Sequence, residues 1–423
     1  MTRTINFKID WLFWFLILLP TFYVINTIDV RASQTNFFAI SIFFLLAVLH
    51  VNRFVGLFLA YCLFQKIFIT KVYMDQLFNL FCGVLLYQMV VIFCKKEALK
   101  RYLWVLYGLL IFNVLWSFLQ MTGYDPVWSS VNPDKQLVMA EYPGFFCLPA
   151  FLGNYAAAVL PIALYFFWPI AAFVGIALVF SKSTFSVVAA YISALTYFWF
   201  KKRIVFWGLL LVLGLGTAWA IKQDIPGGQF SRRLKAWNEI IKAGFGTQYF
   251  GHGLGSYGAD FRFVEVTPTH NVKVVVNNLQ FLKFIHDEVA KKGQVELVEY
   301  VKSFNPNNPI DGNKLSAEFQ KHNMDVMFWD EAHNEFIQVF FETGIVGLLI
   351  VLAFIYDMTK RFWIYGRKDK MIVTLMASFV SILIVSMGHF PFHVARLAGP
   401  FIVLVAFLDL SLIRVRGESE ARI

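Results

Sequence analysis

The feature that most constrains this chain is a series of twelve apolar runs, most of them long enough to cross a bilayer. They fall at about 11–28, 36–50, 52–70, 75–94, 102–120, 148–167, 168–181, 184–200, 203–221, 336–357, 371–389 and 394–413. A spanning helix needs ~20 apolar residues, because every backbone polar group must be satisfied inside the hydrocarbon, and fewer where tilt or thinning adapts. The runs at 36–50 and 168–181 are the shortest, and interfacial or broken helices are the alternatives there. Composition points the same way. The chain is 58% hydrophobic and only 15% charged, against about 25% charged in a soluble domain, so lipid must replace water over much of its surface.

Charge sets the expected orientation. With the N-terminus in the cytoplasm, one side collects Arg3, Lys8, Arg53, Lys95, Lys96, Lys100, Arg101, Lys201, Lys202, Arg203, Lys360, Arg361, Arg367, Lys368, Lys370, Arg414, Arg416 and Arg422. The opposite short loops hold Arg31, Lys71, Lys135, Lys182 and Arg396. This positive-inside bias accounts for the net charge of +10 and places both termini in the cytoplasm. Basic residues scattered over short loops argue against a nucleic-acid partner. The first run lacks a small-residue cleavage site and is expected to stay as a span.

The expected fold is an all-α polytopic membrane protein. Residues 1–221 form a membrane domain of about nine helices, interrupted by an extracytoplasmic loop at 121–147. Residues 222–335 form a large, partly helical extracytoplasmic loop between the ninth and tenth helices. Residues 336–423 add about three helices. Within the large loop, Leu279, Leu282, Ile285 and Val289 recur at helical spacing, so 274–304 is read as helical. The turn-rich Ser303–Asn313 ends it. Cys62, Cys82, Cys94 and Cys147 lie in or beside apolar runs without a CxxC pair, which argues against a disulfide framework or a structural zinc site.

Five constellations carry polar chemistry, all on the extracytoplasmic side. In the first, Asp330, Glu331, Ala332, His333, Asn334 and Glu335 lead from loop into membrane helix. Asp330 is a candidate N-cap, with His333 then in the first turn. The helix dipole and any nearby arginine disfavour the imidazolium there, leaving the neutral ring a general base requires. The alternative is an interfacial histidine that meets headgroups. In the second, Arg232, Arg233 and Lys235 precede Trp237 on a short helix, followed by Gly251-His252-Gly253-Leu254-Gly255. Arginine forks suit phosphate oxygens; contact with anionic lipid is the alternative. The third is Ser181-Lys182-Ser183-Thr184, a lysine that needs a partner, a ligand or a path to the interface. The fourth, Gly388-His389-Phe390-Pro391-Phe392-His393 with Arg396, spaces two histidines as in a metal site, but Pro391 opposes a regular helix. The fifth runs from Tyr142-Pro143-Gly144 to Gly153-Asn154-Tyr155 and Pro161.

Taken together, Ala332-His333-Asn334-Glu335-Phe336 running into Glu342-Thr343-Gly344-Ile345-Val346-Gly347, with Arg233-x-x-x-Trp237, Gly253-x-Gly255, Gly153-Asn154-Tyr155 and Phe390-Pro391-Phe392-His393, resembles the O-antigen ligase and O-antigen polymerase superfamily. The resemblance covers most of the chain, and the His-Asn segment is its most specific part. It implies a bacterial inner-membrane, inverting glycosyltransferase acting without metal or cofactor. The donor would be a glycan on undecaprenyl pyrophosphate, used at the periplasmic face. The acceptor would be lipid A-core for a ligase, a second lipid-linked glycan for a polymerase, or a protein hydroxyl for the related oligosaccharyltransferases; the ligase is favoured. His333 resembles the essential histidine of the family. Arg233, or its neighbour Arg232, resembles the arginine that engages the pyrophosphate. Lys182 stands where the family often has an arginine, keeping the charge without the bidentate fork. Asn334, His252, His393 and Arg396 are candidate acceptor-side or supporting residues. The helical stretch near 274–304 lengthens the interval from Arg233 to His333 and is expected to shape the acceptor side. Two other classes remain as alternatives. A transporter or flippase predicts paired ionisable residues within spans, and a scaffold predicts that His333 is dispensable.

Overall fold

A computed structural model describes residues 52–68, 74–122, 149–166, 171–211, 228–245, 249–257, 262–267, 271–275, 278–305, 312–329, 332–389, 391–392 and 395–420. The runs at 11–28 and 36–50, most of the loop at 121–147, Asp330 and His393 lie outside the described residues.

In chain order the helices are α1 (Arg53–Phe68), α2 (Met74–Phe93), α3 (Lys96–Met121), α4 (Pro149–Phe166), α5 (Ala171–Ser181) and α6 (Thr184–Lys201), with a further helical stretch at 203–211. Then come α7 (Gly228–Gly244), β1 (Arg262–Thr267), β2 (Asn271–Val275), α8 (Asn278–Lys291), α9 (Val295–Lys302), α10 (Gly312–Lys321) and β3 (Asp325–Trp329). The chain ends with α11 (Glu335–Arg361), a π-helical turn at Phe362–Gly366, α12 (Lys370–Ser386) and α13 (Ala395–Glu420). Each apolar run that the described residues cover is helical over most of its covered length. Among the described residues, four segments are long and apolar enough to cross a membrane: Glu97–Met121, Pro149–Phe166, Glu335–Gly366 and Leu397–Ser419. Three more, Asn79–Ile92, Ala171–Ser181 and Lys370–Ser386, are apolar but shorter.

The all-α expectation needs one correction. β1, β2 and β3 form a three-stranded antiparallel sheet in the order β2-β1-β3, registered Val264 to Lys273 and Val264 to Phe328. The three strand sequences, RFVEVT, NVKVV and DVMFW, are rich in β-branched and aromatic residues that suit a pleated, half-buried surface. The helical region expected at 274–304 is two helices, α8 and α9, parted at Gly293, which adopts a positive φ of 67°. Phe281, Ile285 and Val289 of α8 pack with Val264 and Val266 of β1 and Leu315 and Phe319 of α10 in one core.

The chain divides into two compact units: Met1–Gly56, Phe78–Gln223 and Leu352–Ile423 in one, and Leu57–Leu77 with Asp224–Val351 in the other. The first is a helical bundle in which α4 packs against α5, α6 and α12. Small residues at Ala156, Ala157 and Ala158 of α4 are fully buried and let neighbouring backbones approach, as membrane helices require where no hydrophobic drive operates.

The same unit holds an ionic network. Asp409, fully buried on α13, takes Arg361 at 2.5 Å, the Asn52 side-chain amide at 3.1 Å and the Tyr87 hydroxyl. Arg361 also pairs with Asp357 at 2.8 Å, which in turn meets the exposed Arg53 at 3.3 Å. Removing Asp409 strips Arg361 of one of its two carboxylates and leaves the Asn52 and Tyr87 donors without their acceptor, at a cost of about 2–4 kcal/mol. Asp409→Ala should therefore lower the thermal midpoint of the purified protein by several degrees. Opening only the exposed arm with Arg53→Ala should cost under about 1 kcal/mol. Equal melting of the two variants would remove Asp409 as the centre of the network.

Candidate functional site

The site in the second unit is built on α7. Its sequence GQFSRRLKAWNEIIKAG is amphipathic, and Ala236 and Ile240 are fully buried with Tyr257, Ala332 and Phe341. Consecutive helical residues point about 100° apart, so Arg232 and Arg233 part company. Arg232 reaches across to Glu265 of β1, at 3.7 Å. Arg233 and Trp237, four residues apart, share the face turned to the loop at 332–333. The Trp237 indole N–H donates to the Ala332 carbonyl at 2.8 Å, and the Arg233 charge acts on His333.

His333 lies just outside α11, in the left-handed region at φ 52°, a conformation rare for a non-glycine residue and enriched at functional sites. The helix begins at Glu335, and its cap is Asn334. The Asn334 side-chain oxygen accepts from the Ile337 amide at 3.1 Å, while its carbonyl accepts from the Gln338 amide at 3.0 Å. The expectation that His333 occupies the first turn is thus corrected. A cap at Asn334 starts the helix later and leaves His333 in the connecting turn, ahead of the helix. Burial, and next the Arg233 guanidinium, push the His333 pKa down to about 4. The ring is neutral at physiological pH, with a cation beside it.

His252 has a supporting place. Its ring stacks on Phe341 at 4.4 Å between centroids, and its Nε2 lies 3.2 Å from the Ala243 carbonyl at the end of α7. Burial lowers its pKa, partly offset by that carbonyl. The backbone of the same segment fills a break in α11. Gly344, at φ 66° and ψ −169°, is not helical, so the carbonyls before it lose helical donors. The His252 amide donates to Phe341 O at 3.0 Å and the Gly253 amide to Glu342 O at 2.8 Å. The Tyr61 hydroxyl of α1 donates to Thr343 O at 2.8 Å, and the Gln65 amide reaches the Phe250 carbonyl.

Sequence reasoning missed the polar face of α11. Glu335, Gln338 and Glu342 are all buried and follow the i, i+3, i+7 spacing of one helical face, which was the available signal. The Gln338 oxygen accepts from the Ala332 amide at 3.2 Å, bracing the turn that holds His333, and its amide donates to Glu342 at 3.3 Å.

A second polar group lies within the first unit and joins three of the sequence constellations. Lys182, exposed and at φ 49°, forms the turn between α5 and α6. Ser183 caps α6 by accepting from the Ser186 amide, and its hydroxyl lies 3.3 Å from Nε2 of the buried His389. Ser186 donates to the buried Asn154 at 2.8 Å. Gly153 makes the approach possible, since a Cβ there would sit 2.4 Å from that of Ser181. Arg396 belongs to the first turn of α13. His389 is therefore engaged with Ser183, and among the described residues no group of three His, Cys, Asp or Glu could hold a metal ion.

Within the second unit, then, a neutral imidazole stands beside a half-buried guanidinium, with Asn334, Gln338, Trp237 and His252 fixing the surrounding backbone. Such a pair can accept a proton from a hydroxyl and hold an anion next to it. Neither the protein-family models nor the curated proteins contain a match to this chain.

Proposed function

We propose that this protein is an inner-membrane glycosyltransferase that moves a glycan from undecaprenyl pyrophosphate to an acceptor hydroxyl at the periplasmic face. In this reading about twelve helices span the membrane, both termini are cytoplasmic, and residues 222–335 form the periplasmic loop. The observation that carries the reading is the His333–Arg233 pair: a base kept neutral by burial and by the very cation that would receive the leaving group. The resemblance of the His-Asn segment to the O-antigen ligase and polymerase superfamily supports the same chemistry.

The acceptor oxygen attacks the anomeric carbon as its proton passes to the His333 ring. The bond from the anomeric carbon to the pyrophosphate oxygen breaks with inversion, and the departing diphosphate carries its charge against Arg233. Arg232, held by Glu265, contributes field rather than contact. A diphosphate is already a good leaving group, so its departure needs no general acid.

The test is glycan transfer by purified protein given undecaprenyl-pyrophosphate-linked glycan, with lipid A-core in one arm and no added acceptor in another. Core-dependent transfer is expected, as for a ligase. Lengthening of the donor glycan without core would assign polymerase activity instead. A flippase is the second reading, and the buried Asp409–Arg361 pair is the observation in its favour. A chain that moves lipid-linked glycan across vesicles but transfers none would establish it and sink the transferase.

A further inference from the structure

At the opposite end of the first unit from its Ser183–His389 turn, two stretches converge on a cavity of about 570 Å³. The end of α6 contributes Trp199, Lys201 and Arg203, and the turn after α11 contributes Trp363, Arg367 and Lys368. Phe200 forms the back wall, edge-on to Phe362 at 5.2 Å and to Trp363 at 6.1 Å. The arginines lie over the indoles: Arg203 is 5.6 Å from the Trp199 ring, and Arg367 is 5.6 Å from that of Trp363.

Three features set this cavity apart from a scatter of topogenic charges. First, stretches 199–203 and 363–370 carry Lys201, Lys202, Arg203, Arg367, Lys368 and Lys370 against one carboxylate, Asp369. That carboxylate is occupied as the N-cap of α12, accepting from the Met371 amide at 2.7 Å and the Ile372 amide at 3.1 Å. Second, the backbone is deformed at the site. Phe362–Gly366 is π-helical, and the Arg367 amide donates to Phe362 O at 3.1 Å. A π-turn costs hydrogen-bond geometry and is found frequently where function requires it; here it sets Trp363 outward, 53% exposed, against the cavity. Third, the cavity sits at the end of the apolar segment Glu335–Gly366, where tryptophan belongs to the interfacial belt and cations meet headgroups.

We infer that this cavity binds the phosphate headgroup of an anionic phospholipid, with Arg203, Arg367 and Lys368 on the phosphate and the two indoles against the glycerol and upper acyl region. Cationic pockets between helices at a membrane face recognise such headgroups, with about 1 kcal/mol from each basic residue near the surface. Lipid binding there does not depend on the transfer chemistry.

The full chain in neutral-detergent micelles should retain dioleoylphosphatidylglycerol in preference to dioleoylphosphatidylcholine, read as lipid adducts by native mass spectrometry. Replacing two cations with Arg203→Gln and Arg367→Gln should weaken phosphatidylglycerol retention about 30-fold and leave phosphatidylcholine unchanged. Should that pair impair folding, Lys368→Gln alone, in an exposed turn, should weaken it about 5-fold. Retention equal in wild type and both variants would overturn the site. Inorganic pyrophosphate that displaces phosphatidylglycerol completely at equal concentration would overturn the lipid assignment in favour of a soluble anion.

Discussion

Alanine at His333 is expected to lower the turnover of lipid-linked glycan by about 10²–10⁴-fold, the usual contribution of a positioned base, with little change in donor KM. The pH profile separates a base from a merely structural histidine. In the folded chain the His333 pKa stands at about 4, below the ordinary value of about 6.5. The ring is therefore already deprotonated throughout the neutral range, and the acid limb of kcat/KM should fall near that depressed value. Removing the neighbouring cation with Arg233→Gln relieves one of the two causes of the depression, so the limb should move to higher pH while turnover falls. The stability linkage has a matching sign. As pH falls below about 6.5 the unfolded chain takes up a proton here that the folded chain does not accept until about pH 4, so His333 costs stability across that window. His333→Gln should accordingly flatten the acid-side loss of thermal midpoint. A wild-type acid limb near the ordinary histidine value, or full transfer by a well-folded His333→Ala protein, would sink the base assignment.

How far such a site can be read in advance depends on which contacts are local. Helices in apolar runs are legible because lipid leaves the backbone no other partner, and α3, α4, α11 and α13 follow the runs closely. His333 and the two arginines are visible as residue types, but which arginine faces the turn at His333 is not. It depends on the rotation of α7 against β1, and Glu265, the residue that decides it, lies in a strand that was not anticipated. Glu265 also explains why that strand was hard to see. It is as fully buried as Val264 and Val266, so the inside-outside alternation that marks a half-buried strand is overridden by a long-range ion pair. The cap is a different case: Asp330 is the residue the sequence suggests, but Asn334 is an equally good N-cap residue, and the start of α11 at Glu335 makes it the cap.

The largest structural effect is expected from Gly344→Ala. A Cβ at that position would lie 2.4 Å from the Tyr249 carbonyl oxygen and 2.6 Å from the Gly251 nitrogen, neither of which can rotate away. The backbone there, at φ 66° and ψ −169°, lies in a region that only glycine adopts readily, at a strain of about 1–3 kcal/mol for other residues before any clash is counted. Gly251 is reciprocal, at φ 72° with a Cβ position 2.4 Å from the Gly344 nitrogen, so each glycine makes room for the backbone of the other. The alternative of straightening α11 is closed as well. It would eject the segment at 249–253, whose amides supply Phe341 O and Glu342 O, and would displace the half-helix that carries Asn334 and the turn at His333. Orphaned carbonyls inside an apolar segment cost several kcal/mol each. Gly344→Ala should therefore yield little monodisperse protein, whereas Tyr61→Phe, which removes a single donor to Thr343 O, should fold and lose about 1–2 kcal/mol. Gly175→Ala is the matched control, because nothing lies within 4 Å of its Cβ position on α5; it should be neutral or stabilising by up to about 1 kcal/mol. Size-exclusion profiles and thermal midpoints of the three variants read the result. Wild-type behaviour in Gly344→Ala would mean that the break in α11 is not fixed by this pair of glycines, and that the position of His333 must be held by Trp237 and Gln338 alone.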